Sequence, residues 1–158
     1  MTIMPKEKWS LLAGRNQAPL SDDDVRRAIN TFLGLESAIS ARYEENERTV
    51  FNVGREESGE KYGEIIFGPD IYPGRSVIDP NSALSLKAAV AHELTHYHRW
   101  ADKTALPHDF MEHLDEALTS LQAIMRYERH LGEHDIRQLI LDAIQRLQLF
   151  IQDVEKAK

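Results

Sequence analysis

Residues 89–99 read AVAHELTHYHR. On a helix, His92 and His96 lie one turn apart and about 40° apart around the axis, so both imidazoles leave one face and can meet at one ion. Glu93 leaves at a different angle. It is badly placed as a third ligand but can reach a water on that ion and take its proton. Two nitrogen ligands and a carboxylate base are the mechanical content of H-E-x-x-H. Three fixed positions also recur by chance, and a polar helix face with hydrogen-bonded histidines gives the same letters. The motif therefore needs support from the elements around it.

A catalytic zinc wants three protein ligands and an open fourth position. The stretch DFMEHLDEALTSLQ supplies Asp109, Glu112, His113, Asp115 and Glu116. Glu116 is the preferred third ligand. It follows His96 by twenty residues, enough for the chain to leave one helix, turn and return alongside it. Asp102 is the main alternative, with Glu112 and His113 also open. A ligand at Asp102 needs a sharp turn after His96, usually made by glycine, where this chain has Arg99 and Trp100.

The pattern of apolar residues gives the positioning elements. Ser21 and Asp24 form a capping box for a first helix, expected over Asp22–Glu45, with Val25, Ala28, Ile29, Phe32, Leu35, Ile39 and Tyr43 at helical spacing. Two short apolar runs bounded by glycine predict strands over Thr49–Val53 and Tyr62–Phe67, joined by the polar stretch REESGEK. GPDIYPGRSVIDPN reads as loop, with a brief extended piece at Arg75–Ile78. The central helix is expected from Ser82 or Ser85 to Ala101, a second over Asp109–His130, and a last packing helix over Asp135–Val154. The resulting class is α+β and mostly helical, with a small, mainly antiparallel sheet.

The chain has 158 residues, the length of one domain, so residues 1–158 are expected to form a single domain. A net charge of -7 argues against a dedicated nucleic-acid binder, whose affinity rests on lysine and arginine neutralising phosphates. Without cysteine there is no thiolate ligand or nucleophile. The opening MTIMPKEKWSLLAG is too short in its apolar part for a signal-peptide core, and no apolar run approaches a bilayer span. The expectation is a cytoplasmic chain with no membrane partner.

With HELTH in one helix and DEALTS in the next, the chain resembles the zincin metallopeptidases of the gluzincin kind. The resemblance is strong over Ala89–Arg99, moderate over Leu114–Ser120 and absent elsewhere, about one fifth of the chain. It implies a minimal zincin-like domain that binds Zn2+ and hydrolyses peptide bonds. His92, His96 and Glu116 would hold the metal, and Glu93 would act as general base. Thr119 or Ser120 falls near where such families carry a residue that supports a ligand histidine; Ser120 stands where the best-known branch has an aspartate, for which Asp115, Thr119 or Asp109 would substitute. The resemblance further implies a sheet edge beside the active helix for an extended peptide, and Glu64, Ile65, Ile66, Phe67 and Gly68 are the candidates.

A tetrahedral intermediate needs a donor against its oxyanion. Tyr72 and His108 lie in irregular segments that can border a cleft. The expected partner is a peptide or protein substrate. A protein regulator is a further expected partner, and the alternative is a catalytically inactive zincin-like binding or regulatory module acting on a protein partner.

Overall fold

A computed structural model of the chain describes residues 15–74, 84–107, 109 and 111–158. In chain order these residues form helix α1 (Asp22–Leu35), strands β1 (Ala41–Tyr43), β2 (Val50–Arg55) and β3 (Lys61–Phe67), and a 3₁₀ turn (Pro69–Ile71). Helices α2 (Leu86–Ala101), α3 (Glu112–Tyr127) and α4 (Glu133–Lys156) complete the order. The expected α+β class holds: a mostly helical protein with a small mixed sheet packed beside the helix that carries the histidines. The extended piece expected at Arg75–Ile78 lies outside the described residues.

α1 starts where its cap predicts, the Ser21 hydroxyl accepting from the Asp24 amide. It ends ten residues earlier than expected, because Glu36 turns into extended backbone. The apolar residues that prolonged the helical pattern, Ile39 and Tyr43, lie beyond that end, in the turn leading to β1 and in β1 itself. A spacing of four is also two periods of a strand, and Ala41–Tyr43 pairs in parallel with Ile65–Phe67. Ile39 becomes buried, and the Tyr43 ring packs 5.5 Å from Phe67.

This strand changes the sheet. The order is β1-β3-β2, with β2 antiparallel to β3 from Val50↔Ile66 to Arg55↔Lys61. Glu64, Ile65, Ile66, Phe67 and Gly68 were expected to offer an edge for a peptide, and that expectation is corrected. Ile65 and Ile66 have a neighbour on each side, while Glu64 pairs with Asn52 alone and Phe67 with Tyr43 alone, so the run is not a continuous free edge. Gly68 then passes so close to the Glu47 carbonyl that a β-carbon would lie 1.7 Å from its oxygen. Among the described residues the unpaired edges belong to β1, to β2 and, on the β1 side, to β3 from Lys61 to Glu64. The β2–β3 hairpin turns through Gly59 at φ 87°, a left-handed conformation that favours glycine.

α2 is the hub, packed on α1, α3, α4 and the sheet. Ser85 caps it, accepting from the Ala88 amide. Ala88, Val90, Ala91 and Leu94 are 0% exposed, so the helix is enclosed from Ala88 onward through its middle turns. Their small size lets the neighbouring elements approach closely. Phe32, Ile65, Phe67 and Ile71 complete the core on the sheet side, and Ala123, Tyr127 and Leu139 on the side of α3 and α4. No helix among the described residues is long and apolar enough to cross a membrane.

Candidate metal centre

α2 turns His92 and His96 toward α3, with ring centroids 4.7 Å apart and nearly perpendicular. α3 brings Glu116 to meet them. A single carboxylate oxygen, Oε2, lies 2.7 Å from His92 Nε2 and 2.9 Å from His96 Nε2. Among the described residues these three side chains form a group that could hold a metal ion, with one ligand atom from each inside 4.8 Å of the others. The helical phase read from HELTH and the return distance to Glu116 are both realised.

The donor set fits a divalent cation. Zinc with bonds of 2.0–2.1 Å in a tetrahedron separates its ligand atoms by about 3.3 Å, so seating it requires Glu116 Oε2 to draw back from each imidazole nitrogen by about half an ångström. The His92 side chain is 4% exposed, His96 13% and Glu116 21%, so the site opens on the side of His96 and Glu116. Access to a fourth position would come from there.

The far sides of both rings are held. His92 Nδ1 lies 2.8 Å from Ser120 Oγ, and the Ser120 hydroxyl donates to Asp142 Oδ2 at 2.6 Å. Because the serine has one proton and gives it to Asp142, it faces His92 as an acceptor. That selects the Nδ1–H form of the ring and directs Nε2 inward. His96 Nδ1 lies 3.5 Å from Thr119 Oγ1, whose hydroxyl donates to the Asp115 carbonyl at 2.7 Å. Thr119 thus touches a ligand candidate, as the resemblance implies. Ser120 does so as well, and it passes the contact on to an acid from a third helix.

Electrostatics derive from burial and counter-charge. Burial works against a charged His96, but the Glu116 carboxylate and its hydrogen bond prevail and hold the imidazole above its usual range. Burial likewise opposes ionised Glu116, yet the charges of His96 and Arg146 and the bonds from both histidines hold it well below the carboxylate range. Glu93 differs. Burial raises its pKa, and the nearby imidazoles offset this only in part. Arg146 Nη1 lies 3.6 Å from Glu116 Oε2, and its Nε donates to Asp142 at 3.0 Å. A second half-buried cation, Arg15, donates to the backbone carbonyls of Asp70, Ile71 and Leu84. Burial lowers its pKa to about 10 against the pull of Asp70, Asp142 and Glu93.

Other candidates fall elsewhere. Asp115 does not bond to the histidines; it accepts from Arg99 at 2.5 Å and from the Leu106 amide at 2.9 Å. Asp102 is the C-cap of α2 and faces Arg126 at 3.7 Å, so its alternative as third ligand is not realised. Glu112 is exposed in the first turn of α3, and His113 faces Asp153 at 3.8 Å. The Tyr72 hydroxyl donates to the Asp24 carbonyl at 2.6 Å, which commits it to α1 and corrects its assignment to the cleft. His108 lies outside the described residues. Asp142, Arg146 and Arg15 carried no signal in sequence. Comparison of the chain with protein-family models, curated proteins and solved structures found no match.

Proposed function

We propose that this chain is a zinc-dependent endopeptidase, with Zn2+ held by His92, His96 and Glu116 and with Glu93 as general base. The observation that carries the reading is the convergence of two imidazole nitrogens and one carboxylate oxygen beside Glu93, with the other nitrogen of each ring held from behind. Zinc in that position supplies a Lewis acid that polarises a carbonyl and acidifies a bound water. Glu93 receives the proton of the attacking water and passes it to the leaving amine. His92 and His96 keep their Nε2 atoms aimed inward because Ser120 and Thr119 hold their Nδ1 atoms.

Zinc content and peptide turnover measured on three proteins test this. Wild type should bind one zinc and cleave peptides. Glu93→Gln should keep the zinc and lose on the order of 10²–10⁴ in kcat, the usual contribution of a general base. His96→Ala should lose the metal itself. Equal zinc in wild type and His96→Ala would overturn the ligand set, and full zinc without cleavage in wild type would leave a binding module.

A further inference from the structure

The buried side of α4 mixes apolar and polar residues along its middle turns, with Leu139 and Ala143 beside Gln138 and Asp142. Gln138 and Asp142 are buried, whereas Ile140, Ile144 and Ile151 are 40%, 47% and 54% exposed. Asp142 is buried and its partner Arg146 is half-buried, and an ion pair so withdrawn from water is not explained by stability. A well-packed apolar pair of the same volume is often as stable or more so, because taking two charges out of water is expensive. Something other than packing energy accounts for Asp142 and Arg146.

Their contacts close a ring on the proposed ligands. From His92 Nδ1 the path runs to Ser120 at 2.8 Å and from Ser120 to Asp142 at 2.6 Å. It continues from Asp142 to Arg146 at 3.0 Å, from Arg146 to Glu116 at 3.6 Å, and from Glu116 back to His92 Nε2 at 2.7 Å. We infer that α4 is a working part of the metal centre: Asp142, acting through Ser120, fixes the ring of His92, and Arg146 couples that carboxylate to Glu116. This rests on His92, His96 and Glu116 being the metal ligands.

The chemistry is that of a relayed carboxylate. Ser120 alone can either donate to or accept from an imidazole, so it does not select a tautomer. With Asp142 accepting its only proton, it can only accept from Nδ1–H. The serine and the acid together do what a carboxylate in direct contact would do, at the distance of one extra hydroxyl. Arg146 donates to Asp142 and pairs its charge with Glu116, which couples the two acids electrostatically. Asp142, Ser120 and Arg146 are positioning residues, since none of them touches the ion position itself.

Metal affinity of the full chain, titrated with Zn2+ and Co2+ against a chromophoric chelator, tests this without reference to turnover. Asp142→Asn should weaken both ions by about 10–100-fold, the usual effect of removing a group behind a ligand. The visible Co2+ spectrum should change in the same variant. The decisive protein is Asp142→Ala combined with Ser120→Asp, which puts a carboxylate directly against Nδ1 in the space Asp142 leaves. It should regain most of the lost affinity, whereas Ser120→Asp alone should not exceed wild type. Wild-type affinity in folded Asp142→Asn, or no recovery in the double variant, overturns the inference and leaves the ligands standing. If Asp142→Asn does not fold, Ser120→Ala cuts the same link, and wild-type affinity there also overturns it. A wild-type chain that takes up neither ion overturns the underlying reading instead.

Discussion

Asp115 and Glu116 are neighbours on α3, two acids about 100° apart around one helix, and they do opposite things. Asp115 is 3% exposed and faces the Arg99 guanidinium, with the Leu106 amide on the same oxygen. Its partners are fixed donors that cannot be exchanged, and they tie α3 to the end of α2 and to the segment after it. Glu116 faces two imidazoles on the open side of the site. Each of those contacts needs a proton between nitrogen and oxygen, and a cation can take the place of those protons. A carboxylate among permanent donors holds the fold together; one among removable protons is prepared for a metal.

The sharpest way to break this contrast is to remove each acid in turn. Asp115→Ala strands Arg99 inside the protein, and breaking a buried pair in this way costs about 3–5 kcal/mol. Urea denaturation of the metal-free protein should show that loss. Glu116→Ala should destabilise the metal-free protein less, because it removes a desolvated charge as well as its contacts, yet it should abolish tight zinc binding. If Glu116→Ala were the more destabilising of the two without metal, the division between them would fail.

The same contrast explains what could be read in sequence. The histidine pair was legible because its geometry is local: spacing on one helix fixes direction. Glu116 was legible because the distance along the chain and the period of the next helix limit which acid can return. Asp142 and Arg146 were not, because the apolar stripe of the last helix runs through Leu139 and Ala143 and says nothing of the charged residues beside it. Periodicity tells where the apolar stripe of a helix lies, but not which polar residues beside it are drawn inward. β1 was hidden for a related reason, since residues 39 and 43 fit both a helix and a strand, and mistaking it for helix left β3 with a false free edge.

α4 repeats the division on its own inward side. Asp135 belongs to the fold. It accepts from the Gly132 amide at 2.9 Å and from the Ser85 hydroxyl at 2.5 Å, joining the start of α4 to the cap of α2. Asp142, two turns on, belongs to the site. Ser85→Ala removes both the cap and the link to Asp135, and should cost about 1 kcal/mol by thermal or urea unfolding. Zinc affinity should stay at the wild-type value, since the histidines begin two turns further along α2. A tenfold loss of affinity in Ser85→Ala would mean that the two acids of α4 are not separable.

The outward side of α4 should give the smallest effect. Ile144 lies two residues from Asp142, but it is 47% exposed and turned away from α2. Replacing it with serine removes apolar surface that is already half in water and disturbs no buried polar group, so stability should change by less than about 0.5 kcal/mol. Metal affinity should not change at all. Asp142→Asn, by contrast, alters only one polar atom yet is expected to weaken the metal. If Ile144→Ser lowered affinity as much as Asp142→Asn does, the ring to His92 would not be the route by which α4 acts, and general packing of the helix would be. The test therefore separates a directed hydrogen-bond path from mere proximity, using two side chains less than one helical turn apart.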